Sequence, residues 1–160
     1  MISKKLVDAL NEQITAEIWS ANLYLSMSFY FQGEGYDGFA HWMKKQSEEE
    51  TGHACRIADY IVRRGGTATV DKIDSVPKVW GSAKEVFKNV WEHECRVSKL
   101  IDSLVHLASE ERDNATQDFL WGFVREQVEE EATAQTIFEK VSRVSDVGLF
   151  FLDSKLGERK

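Results

Sequence analysis

Hydrophobic residues recur at helical spacing in four long segments of the chain. These segments run approximately from 4 to 33, 37 to 65, 82 to 111 and 114 to 143. Apolar positions three and four residues apart share one face of a helix, so each segment is predicted to form an amphipathic α-helix. The breaks between the segments contain the glycine, asparagine and aspartate residues typical of turns. The pattern therefore predicts an all-α fold.

The lengths of the three connections indicate how these helices are arranged. The first, QGEGYDG, and the third, EERDN, are short, so each joins an antiparallel pair, and Asn114 is a candidate N-cap for the fourth helix. The second covers about 65 to 82 and contains the only proline, Pro77. When extended it reaches roughly 55 Å, more than the ~45 Å length of one of these helices. It can therefore cross the whole four-helix bundle and leave the second and third helices parallel.

A single domain is expected to span residues 1 to 160, because the chain is too short for two full hydrophobic cores. The bundle is predicted over about 4 to 143, with the crossover inside it. A short fifth helix is predicted over about 145 to 156, where the run LFFL is too apolar for a solvated end. We expect this helix to pack on another surface, and a second subunit is one candidate.

Polar residues interrupt the apolar stripe of each predicted bundle helix near its middle. Counted from the two short turns, the interrupting side chains of each hairpin lie within roughly 5 to 8 Å of one another along the helix axis. The simplest packing places all of them in one layer across the core. These residues are Glu17, Glu50, His53, Glu94, Gln127 and Glu130.

This polar layer has the composition of a two-metal site. Unpaired carboxylates in an apolar interior cost several kcal/mol each, and the stripes carry no Lys or Arg at this level. Two divalent cations would balance the four glutamates, and oxygen ligands with one imidazole suit iron or manganese better than structural zinc. Glu50 and His53, three residues apart, share a helix face as an E-x-x-H element requires. In the second hairpin the corresponding pair is Gln127 and Glu130, which contains no histidine. The two metal positions are therefore expected to be unequal.

The net charge of the chain limits the classes of partner that it can bind. A formal net charge of −7 disfavours nucleic acid and anionic membranes and favours cations. No apolar stretch approaches the ~20 residues of a membrane span, and the first residues, MISKKLVDALNE, lack a signal-peptide core. A cytoplasmic protein is therefore expected. His93 and His106 do not join the inward stripes and are expected at the surface or at helix edges, and His41 has no partner at ligand spacing.

The complete pattern resembles the ferritin family, and in particular the bacterial non-haem ferritins, over essentially the whole chain. The resemblance rests on the helix lengths, the crossover, the short fifth helix and four motifs. The motifs are Glu17 with Tyr24 seven residues later, Glu49-Glu50-x-x-His53, Glu94, and Glu126-Gln127-x-x-Glu130.

This resemblance implies a di-iron ferroxidase centre. Glu17, Glu50 and His53 would hold one iron, with Glu50 able to bridge to the other. The residues implied for the second iron are Glu94, Gln127 and Glu130. A third iron position is implied at Glu49, Glu126 and Glu129, with Glu130 shared. Tyr24 would lie close to the centre, either as a hydrogen-bond partner or as an electron donor.

The resemblance also implies what the assembled protein does. Fe(II) would be oxidised by dioxygen or peroxide, and the ferric product would be stored as a hydrated oxide inside a shell of 24 subunits. Haem is not expected, because Gly52 stands near the position where bacterioferritins carry a haem-binding methionine. The acidic residues of the animal ferritin entry channel are not matched at Gln117 and Leu120.

Two other functions are compatible with a bundle of this kind. One is a di-iron oxidase or peroxidase of the rubrerythrin type that does not store iron, although the chain lacks rubredoxin-like cysteine pairs. The other is a metal-free helical interaction module whose carboxylates are merely buried or lie at helix edges.

Overall fold

A computed structural model describes residues 1–160, which form five α-helices and no strand. The prediction of an all-α bundle with a long crossover and a short fifth helix is confirmed, and the predicted helix ends agree to within two residues. The helices are α1 (Lys4–Gly33), α2 (Asp37–Arg63), α3 (Ala83–Glu110), α4 (Asn114–Arg143) and α5 (Asp146–Leu156). None of them is long and apolar enough to cross a membrane.

Local capping explains where four of the helices begin. Ser3, Ser82, Asp113 and Ser145 each accept a hydrogen bond from a backbone N–H in the first turn of the helix that follows. The cap of α4 is thus Asp113, and the predicted cap Asn114 is the first helical residue instead. The aspartate is available because the turn before it is closed by its own backbone hydrogen bonds.

The connection between α2 and α3 runs along α1. Asn11 hydrogen-bonds with the backbone of Thr67 at 2.9 Å near the start of this connection. Farther along both segments, the indole Nε1 of Trp19 donates to the carbonyl of Ser75 at 3.2 Å. The connection therefore travels the length of the bundle, which makes α2 and α3 parallel and leaves α1–α2 and α3–α4 as antiparallel hairpins.

The apolar core is divided into two clusters. One surrounds Phe31, Phe39 and Phe87, and the other surrounds Leu10 and Ile57. The inward polar residues lie between the two clusters along each helix. The bundle is therefore closed by hydrophobic packing above and below one polar layer, which holds that layer away from bulk water.

Candidate metal centre

Three of the predicted ligands are drawn together in the polar layer. Glu17 on α1 and Glu50 on α2 are 1% and 2% exposed, and His53 lies one turn after Glu50. The Nδ1 atom of His53 is 3.2 Å from Glu50 Oε2 and 3.8 Å from Glu17 Oε2. One potential ligand atom from each residue lies within 4.8 Å of the others. This spacing is compatible with a single metal ion between them.

One oxygen of this group has no partner in the protein. Glu17 Oε1 accepts a hydrogen bond from Gln13 Nε2 at 2.9 Å, but Glu17 Oε2 is buried without any hydrogen bond. Leaving a buried polar atom unsatisfied is costly, and native proteins rarely do so without a compensating ligand. A cation beside Glu17, Glu50 and His53 would supply that partner, so these residues fit a metal.

The second ring nitrogen of His53 lies close to an acidic residue of α4. His53 Nε2 lies 3.2 Å from Glu126 Oε2 on α4, and the other oxygen of Glu126 accepts from Arg56 Nη1 at 2.9 Å. Histidine ligands commonly donate their second ring N–H to a carboxylate, which fixes the ring and increases its basicity. In this arrangement Nδ1 remains available for a metal.

The other half of the layer is tied up by hydrogen bonds. Glu94 is fully buried and accepts from the hydroxyl of Tyr24 and, at 3.1 Å, from Gln127 Nε2. Glu130 Oε2 accepts from Gln46 Nε2 at 3.2 Å. Glu94 and Glu130 do not join the close group of three potential ligands. In the metal-free structure the two halves of the layer therefore differ in how their carboxylates are held.

Gln13 and Gln46 are site residues that the sequence analysis did not assign. Each lies four residues before an inward glutamate on its own helix, at positions that face the core. This four-residue spacing is the feature of the sequence that could have identified them. Their amides hold Glu17 and Glu130 in place without adding charge.

The implied third position is only partly assembled. A cavity of about 380 Å³ opens beside the centre and is lined by Glu49, Glu126 and Glu130, together with Gly52, His53 and Arg56. Glu129, the remaining predicted residue, is exposed and does not line this cavity. Glu49 accepts a hydrogen bond from Arg159 Nη2 at 2.8 Å.

Burial and mutual contact shift the pKa values of the inner groups. Burial raises the pKa of Glu50 well above its usual range and that of Glu94 to about 7. Burial would lower the pKa of His53, but the neighbouring carboxylates of Glu17 and Glu50 raise it to about 10. The pKa of Tyr24 is raised well above its usual range, mainly by burial, so its hydroxyl remains a donor. The metal-free centre thus carries protons that a metal must displace.

The expectation for His93 is wrong. Its side chain is 5% exposed, and Nε2 lies 2.9 Å from Ser20 Oγ on α1. Burial lowers the pKa of His93 to about 4, so the ring is neutral, and it packs edge-on against Tyr24 at 5.9 Å between centroids. Sequence spacing placed it off the inward stripe, but α1 covers that edge of α3.

Comparison with known proteins gives one consistent relationship. The family model for the ferritin-like domain matches residues 7–144. A bacterial non-heme ferritin from Bacteroides fragilis is 68% identical over 159 residues, covering 99% of this chain and 100% of that protein. One from Staphylococcus aureus is 36% identical over 162 residues, covering 99% and 97%. An open-pore ferritin from the archaeon Archaeoglobus fulgidus superposes with a TM-score of 0.98 at 45% identity over the full length of both chains.

Proposed function

The chain belongs to the ferritin family, and from this premise we propose that Glu17, Glu50 and His53 bind the first Fe(II) of its ferroxidase centre. The function is iron storage, with oxidation of Fe(II) to Fe(III) as its chemistry. The observation that supports the assignment of residues is the close group of three potential ligands around the unpartnered oxygen of Glu17. Two carboxylates and one neutral imidazole favour a divalent ion of intermediate hardness such as Fe(II).

The second Fe(II) is proposed to bind at Glu94, Gln127 and Glu130, with Glu50 bridging the two ions. Before metal enters, Glu94 and Glu130 are held by Tyr24, Gln127 and Gln46. Some of these hydrogen bonds must rearrange as the metal binds, and the position has no imidazole. We therefore expect the second ion to bind more weakly than the first.

Oxidation of the pair changes the charge balance of the site. Two Fe(II) ions give up two electrons. With two protons, these electrons reduce one dioxygen to hydrogen peroxide, or one hydrogen peroxide to two waters. Four carboxylates neutralise two Fe(II) but leave an excess of two positive charges with two Fe(III). The excess favours the binding of oxide or hydroxide and the departure of iron towards a store. We propose that Tyr24, as a neutral donor to Glu94, holds that carboxylate through the cycle.

Storage requires an enclosed space larger than one subunit. Ferritins form multimeric shells, and we propose a hollow shell of 24 subunits in the cytoplasm that holds hydrated ferric oxide. The exposed aromatic residues of α5, Phe150 and Phe151, support a contact between subunits. The cavity beside the centre is proposed as the third iron position, with Glu49, Glu126 and Glu130 as ligands and Glu129 able to join only if its side chain turns inward.

A substitution experiment tests the assignment of the first iron. Glu50→Ala and His53→Ala should each slow aerobic Fe(II) oxidation by more than the ~10- to 100-fold that follows loss of an outer-shell partner. The ultraviolet absorbance of the ferric product measures the rate, and sizing of the particle verifies assembly.

Glu48→Ala is the matched control, because Glu48 is exposed on the same helix and pairs with Lys45 alone. Oxidation at the unmodified rate in both site variants would remove Glu50 and His53 from the centre. A soluble, iron-loaded particle separates storage from a rubrerythrin-type oxidase, which would turn over iron without retaining it.

A further inference from the structure

The C-terminal tail of the chain places an arginine at the edge of the metal centre. After α5, the tail returns along α2, where His41 Nε2 donates to the carbonyl of Arg159 at 2.6 Å. The guanidinium of Arg159 lies over the ring of Trp42 at 4.9 Å and donates to the carbonyl of Trp42 at 3.1 Å. Its second nitrogen donates to Glu49 Oε1 at 2.8 Å. Four contacts thus hold one cation in a defined position.

Glu49, the partner of Arg159, lines the cavity beside the metal centre. The same cavity is bounded by Glu126, which is bound to Arg56 at 2.9 Å. Arg56 also lies over Phe123 at 4.3 Å. Two guanidinium groups therefore flank the three outer carboxylates, one from α2 and one from the tail. The two arginines therefore already pair with carboxylates that a third metal ion would need as ligands.

The two arginines differ in how they are attached. Arg56 projects from within α2, so its backbone stays beside the cavity even when its side chain, which is 45% exposed, rotates. Arg159 lies after the end of α5 and outside any helix, and the side chains of Arg159 and its partner Glu49 are 21% and 47% exposed. A partly exposed ion pair contributes little to stability, so a metal ion that binds Glu49 can displace it.

We propose that Arg159 is a displaceable counter-cation of the outer carboxylate cavity, which occupies Glu49 until a metal ion binds there and releases the tail. The inference rests on the proposed function, since iron is the cation that would compete. Arg159 acts as a positioning residue: it sets how readily the third position fills and does not touch the inner pair of ions.

Calorimetric titration of the assembled, metal-free protein with Zn(II) tests this proposal, because Zn(II) binds without being oxidised. Arg159→Gln should bind the third Zn(II) per chain up to about fivefold more tightly than the unmodified protein, the gain expected from removing one partly exposed ion pair. The first two equivalents should be unaltered. Arg159→Lys keeps the charge and should bind the third Zn(II) with nearly the affinity of the unmodified protein. Arg63→Gln, a loss of the same charge at an exposed site on α2, should have no effect.

A double-mutant comparison identifies the partner. In the Glu49→Gln background, Arg159→Gln should no longer alter the third equivalent, because the carboxylate for which they compete is absent. A spectroscopic readout follows the tail itself: the third Zn(II) should change the fluorescence of Trp42 as the guanidinium leaves its ring. That change should be lost in Trp42→Phe and in Arg159→Gln.

Three results would overturn the proposal: equal third-site affinity in Arg159→Gln and the unmodified protein, equal tightening of all three equivalents, or no third equivalent in any variant. Failure of the proposed function is a separate result. It would appear as an unmodified protein that does not oxidise Fe(II), whatever the Zn(II) titrations show.

Discussion

Among the individual residues, the centre combines a buried carboxyl group with a raised pKa, that of Glu94, and a histidine that stays protonated, His53. Burial raises the pKa of Glu94 to about 7, whereas the carboxylates beside His53 raise its pKa to about 10 despite burial. A proton on His53 substitutes for part of the positive charge of a metal. This explains how four carboxylates remain in the core before iron arrives.

Metal affinity should therefore fall as the pH falls. His53, a ligand of the first ion, carries a proton at every pH below about 10, so the first metal ion must displace this proton, and the competition becomes stronger as the pH falls. We expect the affinity for the first Zn(II) to decrease by up to about tenfold per pH unit for each proton released, between about pH 8 and about pH 6. Titration calorimetry in buffers of different ionisation enthalpy counts these protons.

His53→Ala provides the control for this prediction, because it removes the group with the highest of these pKa values. In that variant the binding should be weak, and about one proton fewer should be released. An affinity that does not depend on pH in the unmodified protein would show that the centre is not protonated before metal binds.

At the scale of the helices, α5 completes the start of α2. The N-cap residue of α2, Tyr36, makes no side-chain capping bond, and Asp153 of α5 accepts from the N–H of Phe39 at 2.8 Å instead. A carboxylate at this position also interacts favourably with the helix dipole. The close approach depends on Gly38, where a Cβ atom would lie 1.8 Å from the carbonyl oxygen of Asp153.

Gly38→Ala should therefore detach α5 from the bundle. The new methyl group would collide with backbone, which cannot rotate away, so Asp153 would lose its contact with α2 at a cost of about 1 kcal/mol or more for the missing cap. Lower thermal stability and faster proteolysis after α4 measure the effect in the metal-free protein.

Gly122→Ala is the matched control, because its Cβ would meet nothing within 4 Å on α4. It should stabilise the helix by up to about 1 kcal/mol through higher helix propensity. If Gly38→Ala behaved in the same way, the docking of α5 would not depend on the absence of a side chain at residue 38.

For the whole molecule, the outer face of α5 leaves apolar side chains largely exposed. Val147, Phe150 and Phe151 are 80%, 61% and 66% exposed, although Leu149, Leu152 and Leu156 of the same helix pack against the core. Apolar side chains concentrated on a short surface helix are typical of a contact between subunits. Closed symmetric shells repeat such contacts around their axes.

Phe151→Ser should weaken the assembly without unfolding the subunit. Phe150 stacks on Tyr36 at 5.4 Å, so Phe151 is the better choice for a change confined to the outer face. We expect smaller particles by size-exclusion chromatography with light scattering, and less iron retained per chain. Helix content by circular dichroism should be unchanged.

Ser154→Ala, an exposed change on the same helix that removes no apolar surface, should assemble normally. A Phe151→Ser protein with the unmodified particle size would exclude this face from the assembly. Iron oxidation should continue in smaller particles, because the three clustered ligands come from one chain.

Helical periodicity in the sequence predicts the helices and, within each hairpin, the level of the polar side chains. Helical periodicity is a local property, so the apolar stripes could be traced residue by residue, and Glu50 with His53 could be placed on one face from their spacing alone. The crossover could be deduced from its length, since a chain of that extent is needed to return along the bundle. The inner glutamates were therefore found without knowledge of any contact.

Which distant groups meet in that layer and around it depends on how the helices pack against one another. Sequence spacing does not report the rotation of one helix against another, and this rotation buried His93 and left Glu129 outside the cavity. The chain ends add contacts that no periodic pattern predicts, because they follow from where α5 docks. The decisive pairs are Gln46 with Glu130, Ser20 with His93, Phe39 with Asp153, and Glu49 with Arg159. Each joins side chains or backbone from segments that become neighbours only when the hydrophobic core closes.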